Sequence, residues 1–143
     1  MRLLVLGLLW GVVLAGCSTK NADKIRACEG SNVKNCSPVI YFLPDSDEIT
    51  PYGKKRLDWS VEKMNRWPNK RMLITAYAYE WGGDEYNMDL SRRRARSVGR
   101  YFVQNGIDPR RIRVRYLGNA NPICLEPECQ KLNRRAIVEM YNL

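Results

Sequence analysis

The stretch "NMDLSRRRARSV", residues 87–98, decides the fold of this chain. If it forms a helix at about 100° per residue, its apolar residues Leu90, Ala95 and Val98 share one side. Arg94 falls on that same side, about 40° from Leu90, whereas the neighbouring arginines fall on the opposite side and are expected to be solvated. A guanidinium on the buried side of a helix must find acceptors, because an unpaired buried charge is costly.

Arg94 therefore has two interpretations. It can be a structural residue that snorkels to the surface or forms an internal salt bridge. It can also be a bidentate clamp for the carboxylate of a ligand, helped by free N–H groups at the start of the helix.

The residues around this helix predict the order β-α-β-α-β-β. Thr50 and Pro51 are typical of a helix start, and Asn105-Gly106 is typical of a helix end. Two amphipathic helices need one face of a sheet to cover, which favours an α/β two-layer sandwich. In the third strand, Ile112 and Val114 are expected to face inward and Arg111, Arg113 and Arg115 outward. The strands are predicted at 39–42, 71–79, 111–118 and 136–143, and the helices at 51–67 and from 84–88 to 105.

The N-terminal residues 1–17 have the pattern of a signal peptide, with Arg2, an apolar run and then small residues. Residues 14–17 resemble the lipobox of bacterial lipoproteins, which implies that Cys17 is acylated and that the protein is anchored in the outer membrane. An ordinary secretion signal cleaved near Ala15 and an uncleaved membrane anchor are the alternatives. Residues 18–37 are polar and are predicted to be a periplasmic tether, and a segment of this length reaches about 66 Å when fully extended.

The net charge and the cysteine content limit which classes of partner and cofactor we expect. The net charge is +9, but an exported protein meets little nucleic acid, so wall carboxylates, lipid phosphates or acidic proteins are the expected counter-charges. The chain has no histidine, and its five cysteines have no metal-site spacing, so we expect no metal and no cofactor. Without Cys17, four cysteines allow three pairings, of which the local one, Cys28–Cys36 with Cys124–Cys129, is the simplest.

The pattern Asn87-x-x-Leu90-Ser91-x-x-Arg94-Ala95-x-x-Val98 resembles the signature of the OmpA-like C-terminal domain, which the Pal lipoprotein shares. The opening strand with its acidic turn and the closing Asn133-Arg134-Arg135 agree with this family. The resemblance covers roughly residues 39–142, and the domain is expected to span residues 38–143. It implies a mixed four-stranded sheet with both helices on one face. It also implies non-catalytic binding of peptidoglycan rather than an enzyme.

In that family the diaminopimelate side chain of the peptidoglycan stem is gripped at two ends. The resemblance assigns its carboxylate to Arg94 and its ammonium to an aspartate, in whose place this chain has Tyr79. The family's histidine or aromatic residue two positions earlier corresponds to Tyr77. Glu80 could replace the aspartate only if the strand bulges or the loop shifts, because neighbours on a strand face opposite sides. Leu43-Pro44 is a second departure from the family pattern.

These departures predict a degraded ligand grip. The interpretation that they favour is a structural lipoprotein of a cell-envelope complex, for example a type IV secretion outer-membrane core, with envelope proteins as partners. The alternative is a Pal-like peptidoglycan tether that tolerates the missing acid.

Replacing the lipobox cysteine tests the membrane anchor. If Cys17 carries the acyl chains, Cys17→Ala should move the protein from the outer-membrane fraction to the soluble periplasm. Fractionation followed by immunoblotting measures this, and an unchanged distribution would place the anchor elsewhere.

Overall fold

The computed structural model describes residues 37–142. The signal peptide, Cys17, the Cys28–Cys36 pair and all of the tether but Ser37 lie outside this range. Between residues 37 and 142, no helix has the length and apolar composition needed to cross a membrane. The order β-α-β-α-β-β is confirmed, with strands β1 (Val39–Tyr41), β2 (Lys70–Ala76), β3 (Ile112–Tyr116) and β4 (Arg135–Asn142), helices α1 (Pro51–Arg66) and α2 (Gly83–Gln104), and 3-10 turns at Pro109–Arg111 and Pro127–Asn133.

The four strands form one mixed sheet in the order β1-β4-β2-β3. β4 is antiparallel to both β1 and β2, and β3 is parallel to β2. Ile74 at the centre of β2 is aligned with Val138 on one side and with Val114 on the other. β2 and β4 are therefore the central strands, and β1 and β3 are the edges.

The core lies between the sheet and both helices, as a two-layer sandwich requires. Alternate residues of β2 and β4 meet the apolar sides of α1 and α2 in one cluster of buried side chains. The main members of this cluster are Ile40, Leu57, Met64, Met72, Ile74, Ala95, Val98, Phe102, Ala136 and Val138.

Local sequence signals determine where the helices begin and end. The side chain of Thr50 accepts a hydrogen bond from the Gly53 amide at 3.1 Å, and Pro51 occupies the first helical position of α1. α2 ends before Gly106, whose φ of 86° is a conformation that glycine adopts readily.

Arg111 does not face outward as the alternation of the third strand predicts. It lies in the turn before β3, and its side chain returns to the end of α1. Its Nη2 donates to the carbonyls of Met64 and Trp67 at 2.8 Å each, and its Nε donates to the Lys70 carbonyl at 2.9 Å. The last carbonyls of a helix have no partner within the helix, so this guanidinium supplies the missing donors.

Val114 also departs from its expected burial. It lies near Gly99 of α2, on the helix side of the sheet as predicted, yet its side chain is 44% exposed. The reason is that β3 is an edge strand and has no neighbour on its outer side.

Removing the Arg111 side chain should destabilise the domain. Arg111→Ala removes the side-chain donor from the carbonyls of Met64 and Lys70 and leaves the Trp67 carbonyl with the Lys70 amide alone. We expect a loss of about 1–3 kcal/mol in the free energy of unfolding. The exposed Arg113 is the matched control, since Arg113→Ala should change stability by less than about 0.5 kcal/mol. Urea denaturation followed by circular dichroism measures both, and equal losses would contradict the capping role of Arg111.

Candidate functional site

The chain leaves the sheet at the end of β2 earlier than the sequence predicts. β2 ends at Ala76 rather than at residue 79. The amides of Tyr77 and Ala78 still donate to the carbonyls of Arg135 and Gly118, at 2.8 Å each, but the Tyr77 carbonyl accepts from Arg94 Nη1 at 3.2 Å. Glu80 lies beyond the end of β2, so the alternation of the strand does not fix its direction, and its side chain reaches Arg94.

Arg94 is fully buried and holds several loops together. Its Nε donates to the carbonyl of Ser46 at 2.8 Å, and its Nη2 donates to the carbonyl of Leu43 at 3.1 Å. Nη2 also donates to Glu80 Oε1 at 3.1 Å, which makes the internal salt bridge. Burial lowers the pKa of the Arg94 guanidinium, and the contact with the Glu80 carboxylate opposes that shift.

The Glu80 carboxylate is held at one oxygen only. Oε1 accepts from Arg94 and lies 3.9 Å from Arg134 Nε, and the side chain is 8% exposed. Within residues 37–142, Oε2 accepts no hydrogen bond. One oxygen of a fixed carboxylate is thus left for another donor.

Asn87 fixes the backbone of Glu80 from the first turns of α2. Its Oδ1 accepts from the Glu80 amide at 2.8 Å, and its Nδ2 donates to the Glu80 carbonyl at 3.0 Å and to the Gly83 carbonyl at 2.8 Å. The loop between Glu80 and Asn87 turns at Gly82 and Gly83, whose φ values of 153° and 80° disfavour residues other than glycine. A β-carbon at Gly82 would also lie 2.8 Å from the ring of Tyr86.

Two further motif residues, Leu90 and Ser91, lie on the next turn of α2 after Asn87. Leu90 is fully buried. Ser91 Oγ accepts a hydrogen bond from the Gly118 amide at 2.9 Å and so joins α2 to the loop after β3. The motif thus positions three separate segments around one cleft.

A cleft of about 280 Å³ lies at this end of β2. Trp81 at its rim is 95% exposed. Two larger clefts, of about 400 and about 630 Å³, lie beside β1 and between residues 45–49 and α2, and neither is lined by Asn87 or Arg94. The cleft is lined by Tyr79, Glu80, Trp81, Gly83, Asn87, Asn119 and Gln130.

Three of the six predicted site residues, Arg94, Tyr77 and Leu90, do not line this cleft. Arg94 lies behind Glu80 and is inaccessible, so a ligand carboxylate could contact it only after Glu80 moved. Tyr77 instead stacks its ring on the Arg135 guanidinium, at 3.8 Å. Tyr79, Glu80 and Asn87 do line it, and Leu90 is fully buried.

The sequence did not identify Trp81, Asn119 and Gln130 as cleft residues. Asn119 Nδ2 donates to Asp84 Oδ1 at 2.7 Å, which ties the loop after β3 to the start of α2. Gln130 lies in the 3-10 turn Pro127–Asn133, next to Cys129 of the Cys124–Cys129 disulfide. The Cα atoms of the two cysteines are 5.8 Å apart. The close spacing of these cysteines was the signal that this segment is fixed.

The disulfide also bears on metal binding. Cys124, Glu126 and Cys129 lie close enough together to share a metal ion. Both sulfurs are joined to each other, however, and metal binding by cysteine needs thiolates.

The sheet order, the paired helices and the motif-built cleft define an OmpA-like domain. A family model described as the OmpA family matches residues 41–134. The chain belongs to the OmpA family.

Relatives of the chain include proteins named as lipoproteins. A protein named peptidoglycan-associated lipoprotein from Rhizobium meliloti (strain 1021) is 30% identical over 148 residues, covering 93% of this chain and 84% of that protein. The probable lipoprotein YiaD of Escherichia coli (strain K12) is 31% identical over 133 residues, covering 87% of this chain and 61% of that protein.

Solved structures agree with this fold. The crystal structure of the peptidoglycan-associated lipoprotein from Burkholderia pseudomallei superposes with a TM-score of 0.68 at 26% identity, covering 72% of this chain and 89% of that one. The C-terminal domain of Helicobacter pylori MotB has a TM-score of 0.66 at 17% identity, over 74% of this chain and 85% of that one, which shows the fold alone.

Removing the Arg94 side chain should lower the free energy of unfolding far more than removing a neighbouring arginine side chain. Arg94→Ala removes the Arg94 donor from the buried Glu80 carboxylate and from the carbonyls of Ser46 and Tyr77. The Leu43 carbonyl keeps only the Ser46 amide, at 3.3 Å. We expect a loss of about 3–5 kcal/mol in the free energy of unfolding. Arg96 is exposed on the same helix, and Arg96→Ala should change stability by less than about 0.5 kcal/mol. Thermal and urea unfolding compare the two, and a small effect of Arg94→Ala would mean that its contacts are not structural.

Proposed function

We propose that this protein is a non-catalytic lipoprotein that binds peptidoglycan and links the outer membrane to the cell wall. Membership of the OmpA family and relatives named peptidoglycan-associated lipoproteins support this function. The observation that carries the proposal is the Glu80 carboxylate, which lines the cleft and has one oxygen without a partner among residues 37–142.

Glu80 is suited to replace the acid that Tyr79 does not provide. A tyrosine hydroxyl is neutral near pH 7 and gives an ammonium group at most a neutral hydrogen-bond acceptor. Glu80 offers a full negative charge in the same cleft, and Asn87 and Arg94 hold its position. The ammonium group of the diaminopimelate side chain would donate a charge-assisted hydrogen bond to Glu80 Oε2.

Other cleft residues suit the rest of a peptidoglycan stem. Asn119 and Gln130 contribute side-chain amides, which can donate to a carboxylate or to peptide carbonyls. The exposed ring of Trp81 offers an apolar surface at the rim for the aliphatic part of the ligand. In this arrangement Arg94 is a positioning residue that fixes Glu80.

This proposal replaces the interpretation that the sequence departures favoured. The relatives are peptidoglycan-associated lipoproteins, which supports the wall-binding alternative and gives no support to a secretion-complex component. Their names also support a location in the cell envelope with the domain in the periplasm.

The charge of Glu80 should decide binding. We expect Glu80→Gln to weaken binding of a diaminopimelate-containing muropeptide by more than about tenfold, because truncating one member of such a charge pair costs about 2–5 kcal/mol. Glu85 is exposed in the first turn of α2, so Glu85→Gln is the charge-matched control and should leave the affinity unchanged. Calorimetric titration of the folded variants, with pull-down on purified sacculi, measures the effect.

A Tyr79→Asp variant distinguishes this proposal from a degraded grip. If Glu80 already binds the ammonium, restoring the aspartate should add little affinity. Three results together would refute the proposal. The unaltered protein would bind the muropeptide weakly, Glu80→Gln would not change its affinity, and Tyr79→Asp would raise the affinity tenfold or more, as expected when a charge pair is restored. Those results would instead favour the interpretation of the protein as a component of an envelope complex.

A further inference from the structure

The outer face of α1 carries aromatic rings and cations in alternation. Each cation lies over one or two rings, at cation–π distances. Arg56 lies 5.8 Å from the Tyr52 ring centre, Lys63 lies 5.3 Å from Trp59 and 4.8 Å from Trp67, and Lys70 lies 5.3 Å from Trp67. We call this surface the aromatic–cationic face; its members are Tyr52, Arg56, Trp59, Lys63, Trp67 and Lys70.

This face points away from the core and away from the cleft. The opposite side of α1 buries Leu57 and Met64 against the sheet. On the outer side, Tyr52 is 61% exposed and Trp67 is 40% exposed. None of the six residues of the face lines the cleft beside Glu80.

The face is positively charged. α1 contains five lysines and arginines but only two acids, and one of these, Glu62, is paired with Arg66 at 3.0 Å. Within residues 37–142, neither Lys63 nor Lys70 forms an ion pair or donates a hydrogen bond from its ammonium group. Both ammonium groups are therefore available to an anion.

The end of the face is held rigidly. Arg111 donates to the carbonyls of Trp67 and Lys70, which fixes the backbone that carries the last ring and the last cation. A surface whose side chains are already ordered loses little conformational entropy when it binds.

We propose that the aromatic–cationic face binds the surface of an anionic phospholipid bilayer. Tryptophan and tyrosine favour the headgroup level of membranes, where one side of the ring meets apolar chains and the other meets water. Lysines near an anionic leaflet are attracted to its phosphates and contribute about a factor of five in affinity each. A convex helix surface meets a flat, deformable bilayer more readily than it encloses a small ligand.

The expected anchor makes a bilayer the favoured occupant. A lipid on Cys17 would keep the domain within the reach of the tether, so a bilayer surface would always be close at high effective concentration. Contact with the membrane through α1 would leave the cleft, which lies on another part of the domain, open to the cell wall. Glycan strands of the wall and acidic proteins are the competing occupants.

Tryptophan fluorescence can report on this face specifically. The chain has four tryptophans, and Trp10→Phe with Trp81→Phe leaves Trp59 and Trp67 as the emitters. The full-length protein, purified from membranes, is reconstituted into vesicles of phosphatidylethanolamine with either phosphatidylglycerol or phosphatidylcholine, each with a brominated lipid as quencher. We expect quenching and a blue shift in the phosphatidylglycerol vesicles alone, and we expect both to decrease as salt is added.

Charge reversal provides the matched comparison. Lys63→Glu with Lys70→Glu should abolish the quenching, whereas Arg113→Glu with Arg115→Glu, the same charge change on the exposed side of β3, should retain it. The salt dependence of the unaltered face tests the proposal even if a charge-reversed variant does not fold. Equal quenching in both lipids, equal losses in both variants, or a fluorescence change with purified sacculi in place of vesicles would each overturn the proposal.

Discussion

The buried guanidinium of Arg94 is the interaction on which the rest of the binding end depends. It bonds the carbonyls of Leu43, Ser46 and Tyr77 and the carboxylate of Glu80, so one side chain joins the turn after β1 to the end of β2. Its burial is tolerated because these acceptors replace water. The loop that carries Glu80 thus has its conformation set by a charge in the core.

Binding chemistry and folding stability are coupled at this end of the molecule. Asn87 and Arg94 hold the backbone and the side chain of Glu80, and neither contact would exist in an unfolded loop. A carboxylate fixed at one oxygen presents the other in a defined direction, which reduces the entropic cost of binding a ligand cation. The same residues that stabilise the domain therefore also position its proposed ligand group.

The sequence predicted the architecture well because its signals are local. Helix caps, amphipathic periodicity and the family motif require only neighbouring residues, and they placed every strand and helix in order. The direction of Glu80 could not be predicted in this way, because it depends on where β2 leaves the sheet. Just beyond that point the Tyr77 carbonyl is bonded by Arg94, which is distant in sequence from the strand. Trp81, Asn119 and Gln130 were missed for the same reason, since their proximity arises only from the tertiary fold.

The exposed side of β3 has a consequence for how copies of the domain meet. β3 is an edge of the sheet, and an unpaired strand edge is a template on which a second chain can add its own strand. Arg113 and Arg115 are exposed along this edge. Two identical domains that aligned these edges would bring like charges together, which opposes aggregation where the protein is crowded on a membrane surface.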